Sequence, residues 1–267
     1  MRLVFLGSPD AAVPSLEALI AAGHDVALVV TQPDRRRGRG SELVPTPVKA
    51  AAREHGIPTT EVVDDALAVG ADLGVVVAFG KIIKAHVLDA LPMVNVHFSL
   101  LPRWRGAAPV ERAILAGDPE TGVCIMRVDV GLDTGDVFAS ERVAIDDDVS
   151  ADELTAKLAD HGARLLVQTL EGGLTGATPQ EGEPTYAAKV TPEELRLDLS
   201  RPAEELVRVT RLGRAWTTVA GKRLIVWRAR VDDAGAFEPV EVQPEGKARM
   251  AFADWARGTG GAVALGT

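Results

Sequence analysis

The chain has 267 residues, 46% apolar and 25% charged, which suits one or two globular domains and excludes a disordered, collagen-like or coiled-coil chain. Its formal net charge of −9 argues against a protein that coats nucleic acid without selectivity, and its single cysteine, Cys124, excludes an intrachain disulfide and any multi-thiolate metal site. No apolar run reaches the roughly 18 residues that span a bilayer, and the opening MRLVFLGSPD is too short in its apolar part for a leader, so a cytoplasmic protein without membrane contact is expected.

The first half alternates strand and helix. Leu3–Leu6 reads as a short apolar strand. Pro9 and Pro14 flank the start of a helix that carries Leu16, Leu19 and Ile20 on one face and ends at Gly23. Val26–Thr31, Leu73–Phe79, Met93–Val96, Val123–Val128 and Val137–Ile145 read as further strands, with helical patterns at 46–55, 83–90, 108–116 and 151–172. Strands separated by helices imply an α/β chain built on a mostly parallel sheet with both faces covered. Ser150 and Glu153 have capping-box spacing ahead of the apolar stripe Leu154, Leu158 and Leu165. A turn-rich linker over about 176–192, including TPQEGEP, precedes a change of pattern, so the domain boundary is placed near 190: residues 1–190, then 191–267. In the second part Ala203–Leu212 reads as a helix, and Ala215–Ala220 and Arg223–Val231 as short strands. The chain after 232 is weakly patterned, and its last ten residues are expected to be mobile.

In an open parallel sheet, ligands sit at the carboxyl ends of strands. Met93–Val96 runs into Asn95, His97 and Ser99. Asn95 and His97 are two apart and face the same way on an extended chain. An amide can donate to a developing oxyanion and an imidazole can serve as a base near neutral pH, although a chain-turning Asn and a satisfied His would look the same in sequence. The acidic, Gly-rich segment Asp129–Asp136 is either a plain turn or a loop whose carboxylate orients that imidazole. The other histidines, His24, His55, His86 and His161, sit at helix ends or within helical patterns and are read as structural. The chain has no GxGxxG, GxxxxGK[ST] or GxSxG motif and no metal-ligand spacing.

Charge is unevenly spread. Residues 196–267 hold 12 basic and 9 acidic side chains, net +3, and the preceding 195 residues carry net −12. Between Leu206 and Val231 there are seven basic residues and no acid. Such a run is either a solvated face or a docking face for a polyanion.

Taken together, these motifs resemble the methionyl-tRNA formyltransferases, enzymes that use 10-formyltetrahydrofolate, over nearly the whole chain. Asn95-Val-His97-Phe-Ser-Leu-Leu-Pro-Arg-Trp-Arg-Gly-Ala-Ala-Pro109 is similar to the family's NxHxSLLPxxRGxxP signature, and Gly131-Leu-Asp133-Thr-Gly-Asp136 to its second catalytic loop. Thr31–Arg35, Gly38-Arg39-Gly40 and Pro45–Lys49 are similar to a loop and helix start of the tRNA-directed branch. The resemblance implies a Rossmann-like catalytic domain and a small C-terminal β-domain related to the OB fold. It implies formyl transfer to the α-amino group of methionyl initiator tRNA by a monomer, without a metal or a covalent intermediate. Asn95, His97 and Asp133 would be the catalytic trio, with His97 held protonated by Asp133. Ser99, Leu100, Leu101 and Pro102 would line the folate site, and Val75–Phe79 would pack near the pterin. Arg35, Arg36, Arg39, Arg208, Arg211, Lys222 and Arg223 are the expected tRNA contacts.

Three departures stand out. Ser41-Glu42 occupies a loop where tRNA formyltransferases usually carry lysines, and Gly213-Arg-Ala-Trp216 replaces an NPWP-like turn. The chain beyond Gly221–Ala229 is short, so a reduced or incomplete small barrel is expected. An alternative acceptor is therefore a nucleotide-linked amino sugar or another small amine, and the basic stretch 206–231 together with Arg35–Arg39 favours tRNA.

Overall fold

The computed structural model describes residues 1–36, 43–259 and 263–267. In chain order the strands of the first part are β1 (Arg2–Gly7), β2 (Asp25–Val30), β3 (Arg35–Arg36), β4 (Leu43–Val44), β5 (Thr59–Thr60), β6 (Leu73–Val77), β7 (Met93–His97), β8 (Arg105–Gly106), β9 (Glu120–Arg127), β10 (Val137–Ala144) and β11 (Tyr186–Ala187). Between them lie helices α1 (Val13–Ala21), α2 (Pro47–Glu54), α3 (Ala85–Ala90), α4 (Pro109–Ala116) and α5 (Ala151–Glu171). The later chain adds α6 (Ala203–Thr210), strands β12 (Ala215–Val219), β13 (Lys222–Val231), β14 (Phe237–Pro244) and β15 (Met250–Ala251), and α7 (Phe252–Gly258). The chain divides into two compact units, Met1–Pro109 with Thr121–Ala144 and Thr155–Ala187, and Val110–Glu120 with Ile145–Leu154 and Ala188–Thr267.

The first unit is organised by a seven-stranded sheet of order β10-β9-β7-β6-β1-β2-β5. β1 pairs in parallel with β2 and β6, β6 with β7, and β2 with β5, while β7 meets β9 antiparallel. Leu3, Phe5 and Leu6 are fully buried, as are Val75 and Val77, because helices cover both faces of such a sheet. Each of these side chains is worth about 2 kcal/mol of burial. Strand order reverses at β1, which places a crevice at the carboxyl ends of β1 and β6, with β7 the next strand along. Gly162 on α5 lets that helix lie close to β7, since a Cβ there would come within 2.6 Å of the Val96 side chain.

The second unit has its own apolar core. Leu206 and Val209 from α6 pack with Leu197, Ala215, Leu224, Val226 and Val242, and Leu115, Phe252, Trp255 and Leu265 close around them. Its strands form a four-stranded antiparallel sheet, β12-β13-β14-β15. The weak patterning after residue 232 hides a real strand. Pro239 and Pro244 interrupt the propensity signal of β14, and two register shifts opposite Val226–Ala229 break its alternation. The expected mobility of the last residues is corrected where they are described: Gly266 N donates to Thr218 O at 2.8 Å and Gly221 N to Thr267 O at 2.9 Å. Gly260–Ala262 lie outside the described residues. Among the described residues no helix is long and apolar enough to cross a membrane.

Candidate active site

β7 delivers the first two candidates. In register, Asn95 lies between Val76 and Met126, and His97 lies beside Cys124. The two-residue period puts both side chains on one face of the sheet. His97 is buried, at 5% exposure, whereas Asn95 is partly open. The Asn95 amide makes no hydrogen bond to another described residue, so both of its N–H groups are available to a ligand. His97 Nε2 lies 3.0 Å from the Trp104 carbonyl. A carbonyl only accepts, so Nε2 carries a proton.

Asp133 comes from the loop between β9 and β10. Its Oδ2 lies 3.8 Å from His97 Nδ1, close enough for charge attraction but beyond hydrogen-bond length. The same oxygen accepts from Gly106 N at 2.8 Å. The structure thus brings His97 of β7 and Asp133 of the β9–β10 loop together, with Asn95 on the same face of β7.

The segment that carries the Trp104 carbonyl is held in an unusual shape. Trp104 has φ 62° and Asp133 has φ 50°, a region costly for bulky L-residues and usually maintained only by surrounding contacts. Trp104 N donates to Thr185 Oγ1 at 2.8 Å, Arg105 N to Thr185 O at 2.8 Å, and Ala107 N to Ala187 O at 2.9 Å. Gly106, at φ 120°, passes so near this strand that a Cβ would sit 2.9 Å from Ala187 O. Residues 178–187 were read from the sequence as a polar linker. They instead form a strap along the signature loop, with Thr185 and Gln180 as contact points that sequence reasoning missed. Their only signal in the sequence was a polar Thr and Gln in a Pro-rich stretch, and that is also what a linker looks like.

Two opposing influences act on the His97 imidazole. Burial pushes its pKa below the ordinary value, and the Asp133 charge and the Trp104 carbonyl pull it back up. Burial is the larger. Burial thus favours the neutral imidazole, with its proton on Nε2 and a lone pair on Nδ1 toward Asp133. This runs against the expectation of a protonated His97, because burial of the ring outweighs a carboxylate that stops 3.8 Å short. Cys124 is pushed up to about 11 by burial and is an inert thiol at neutral pH.

The four residues assigned to the folate segment follow directly. Ser99 is fully buried and its Oγ donates to Arg103 O at 2.6 Å, closing the turn from within. Leu100 packs over Gly122 of β9. Leu101 and Pro102 are partly exposed beside it, and Pro102 O accepts from Thr185 N at 3.3 Å, so their side chains rather than their backbone face a ligand. Val75, Val77 and Phe79 lie buried at the carboxyl end of β6.

A formyl transferase family model matches residues 1–170. A methionyl-tRNA formyltransferase of Symbiobacterium thermophilum is 42% identical over 310 aligned positions that take in 100% of this chain and 94% of the relative. The chain belongs to the methionyl-tRNA formyltransferase family. Because 267 residues extend over 310 aligned positions, the length difference from that relative falls between the ends of the alignment. Among solved structures, a methionyl-tRNA formyltransferase from Clostridium thermocellum shares the fold at TM-score 0.64 and 16% identity, covering 91% of this chain and 98% of that one. An N-formyltransferase from Helicobacter canadensis, solved with folinic acid and dTDP-3-aminofucose, shares it at TM-score 0.67 and 17% identity, over 87% of this chain and 88% of that one.

The basic residues expected to meet nucleic acid are placed very differently in this formyltransferase. Arg35 and Arg36 form β3 and are exposed, while Arg39 lies outside the described residues, as do Ser41 and Glu42. Lys222 and Arg223 are exposed on β13, and the Arg223 guanidinium stacks 4.4 Å over the Trp216 ring. Arg211 is turned inward. Its Nε donates to Val149 O at 2.8 Å and its Nη2 to Asp146 O at 2.9 Å. Arg208 packs over Gly117, where its Nε is buried without a partner. Arg211 is therefore engaged within the second unit, whereas Lys222 and Arg223 present exposed cationic surface.

Proposed function

We propose that this formyltransferase moves the formyl group of 10-formyltetrahydrofolate to the α-amino group of methionyl initiator tRNA, with residues 1–190 carrying the chemistry and 191–267 meeting the tRNA. The full-length likeness to methionyl-tRNA formyltransferase carries the choice of acceptor. The folinic acid held by the Helicobacter canadensis enzyme supports a folate donor on this fold.

The three polar groups suit the chemistry. The neutral amine attacks the formyl carbon and a C–N bond forms, while the carbonyl oxygen takes up the charge. The uncommitted Asn95 amide donates to that oxyanion. Neutral His97 takes the amine's proton at Nδ1, and Asp133 stabilises the imidazolium that results. The same proton is then delivered to the departing folate nitrogen as its bond to the formyl carbon breaks, which returns His97 to the neutral state. Trp104 O and the Gly106 N–H keep the imidazole and the carboxylate in place through the cycle.

The test is transfer of labelled formyl to charged initiator tRNA, with uncharged tRNA, free methionine and a nucleotide-linked amino sugar as parallel acceptors. Formylation of methionyl-tRNA alone is expected. Transfer to the amino sugar in preference to methionyl-tRNA would overturn the acceptor and keep the chemistry.

A further inference from the structure

Gln180 lies outside the expected catalytic trio, yet all of its side-chain polarity is spent on the site. Its Nε2 donates to Asp133 O at 2.9 Å and to Gly135 O at 2.8 Å. Its Oε1 accepts from Arg105 Nε at 3.0 Å and from Arg105 Nη2 at 2.6 Å. The orientation of the amide follows from its partners, because a guanidinium only donates and a carbonyl only accepts. One side chain therefore ties the Asp133 loop to the signature loop. The next residue repeats the link, since Gly106 N holds the Asp133 carboxylate itself. Thr178 anchors the near end of the strap by a reciprocal pair with Val137, N to O at 3.0 Å and O to N at 2.9 Å.

We infer that Gln180 is a positioning residue for formyl transfer: it clamps the backbone of Asp133 so that the carboxylate faces His97 Nδ1. The inference rests on the reaction proposed above, and it explains what holds Asp133 at a positive φ. A free eight-residue acidic loop would let the carboxylate swing into solvent, where its pull on the imidazole would be screened away. Among the described residues, the charged and titratable neighbours of His97 are Asp133 from the β9–β10 loop and Cys124 on β9, so releasing the loop removes its anionic partner.

The experiment compares wild type, Gln180→Ala, Gln180→Glu, Asp133→Asn and the double variant Gln180→Ala/Asp133→Asn. It reads kcat and KM with methionyl-tRNA across pH, thermal melting, and the titration of the His97 ring by NMR. Gln180→Ala is expected to lower kcat roughly 30- to 100-fold, the scale of a 1 Å misplacement, with KM for both substrates within about twofold. His97 then titrates at lower pH than in wild type, in the same direction as in Asp133→Asn. The double variant is no slower than Asp133→Asn alone, because both changes remove one interaction. Gln180→Glu keeps the acceptor for Arg105 and turns an acceptor toward the two carbonyls, so it falls with Gln180→Ala in rate and its melting temperature falls as well.

A kcat within about twofold of wild type in both Gln180 variants would overturn the inference. So would an unmoved His97 titration, or rate losses that multiply in the double variant. The NMR titration needs no substrate. A wild type that fails to formylate methionyl-tRNA would thus remove the acceptor assignment and leave the clamp decided by the His97 titration alone.

Discussion

In the proposed reaction His97 acts as a base only while it is neutral, and burial, the largest influence on it, puts its pKa below the ordinary 6.5. The sign of the pH dependence follows. At pH values above that lowered pKa the lone pair is present and kcat/KM is flat with respect to this group, and as the pH falls through it the imidazolium accumulates and kcat/KM drops. Asp133→Asn removes an influence that raises the pKa, so the acid limb moves to still lower pH while the plateau falls by roughly 10²- to 10⁴-fold, the usual weight of acid–base assistance. A pH–rate profile of both proteins checks this, and an acid limb that moves upward in the variant would contradict it. Gly106 offers a second test at this scale. Gly106→Ala forces a side chain into φ 120° and against Ala187 O, which costs about 1–3 kcal/mol and displaces the N–H that holds Asp133. Thermal melting and kcat should fall together. Asn95, His97 and Asp133 are reached through the family resemblance of the segments that carry them, since their spacing alone also fits a chain-turning Asn, a satisfied His and a plain turn. Gln180 and Thr185 are not legible in the sequence, because their meaning depends on partners 45 to 81 residues away.

Elements with strong local signals read well. The capping box assigned to Ser150 and Glu153 forms as such: Ser150 N donates to Glu153 Oε2 at 2.9 Å and Glu153 N to Ser150 Oγ at 3.2 Å. These hydrogen bonds hold the Glu153 carboxyl below its ordinary pKa, with the Ser150 hydroxyl as the first cause. Ser150→Ala should lower the melting temperature at neutral pH. The contribution is present above the ordinary Glu pKa and is lost as pH falls through the depressed one, so melting curves of variant and wild type should converge in acid. The buried strands β1, β2, β6, β7 and β9 announce themselves as apolar runs, and α2, α4 and α5 by period and caps. β5, β8, β11 and β15 do not, since two-residue strands carry no period and exist only through their partners. α4 shows the same dependence on remote partners. Arg112 of this helix donates to Ala188 O at 2.8 Å and grips both carboxylate oxygens of Glu194, whose pKa falls to about 2 with the Arg112 hydrogen bond as the main cause. Nothing in the local sequence of α4 marks Arg112 as more than a surface cation.

At the scale of the whole molecule, the net −12 of the first 195 residues and the net +3 of the rest separate the chemistry from the charge that would attract a polyanion. Which cations in the basic stretch act on tRNA is decided by where each side chain is spent, not by how many there are. Arg211 gives its donors to the Val149 and Asp146 carbonyls, and burial lowers its pKa. Arg223 stands exposed over Trp216, its guanidinium facing a ring and its charge open to solvent. Arg223→Ala should therefore raise KM for methionyl-tRNA several-fold and reduce the slope of log(kcat/KM) against log[salt] by about 0.7–0.9, the value of one phosphate contact, with stability in melting lowered by no more than the roughly 0.5–1 kcal/mol of its stack on Trp216. Arg211→Ala should do the reverse. Leaving two carbonyls without a charged donor costs about 1–3 kcal/mol in melting, while the salt slope stays at its wild-type value. Salt titrations of the two variants side by side separate these outcomes. Equal loss of slope in both would mean that Arg211 leaves its carbonyls for the phosphates when tRNA binds, and that the second unit rearranges around its ligand.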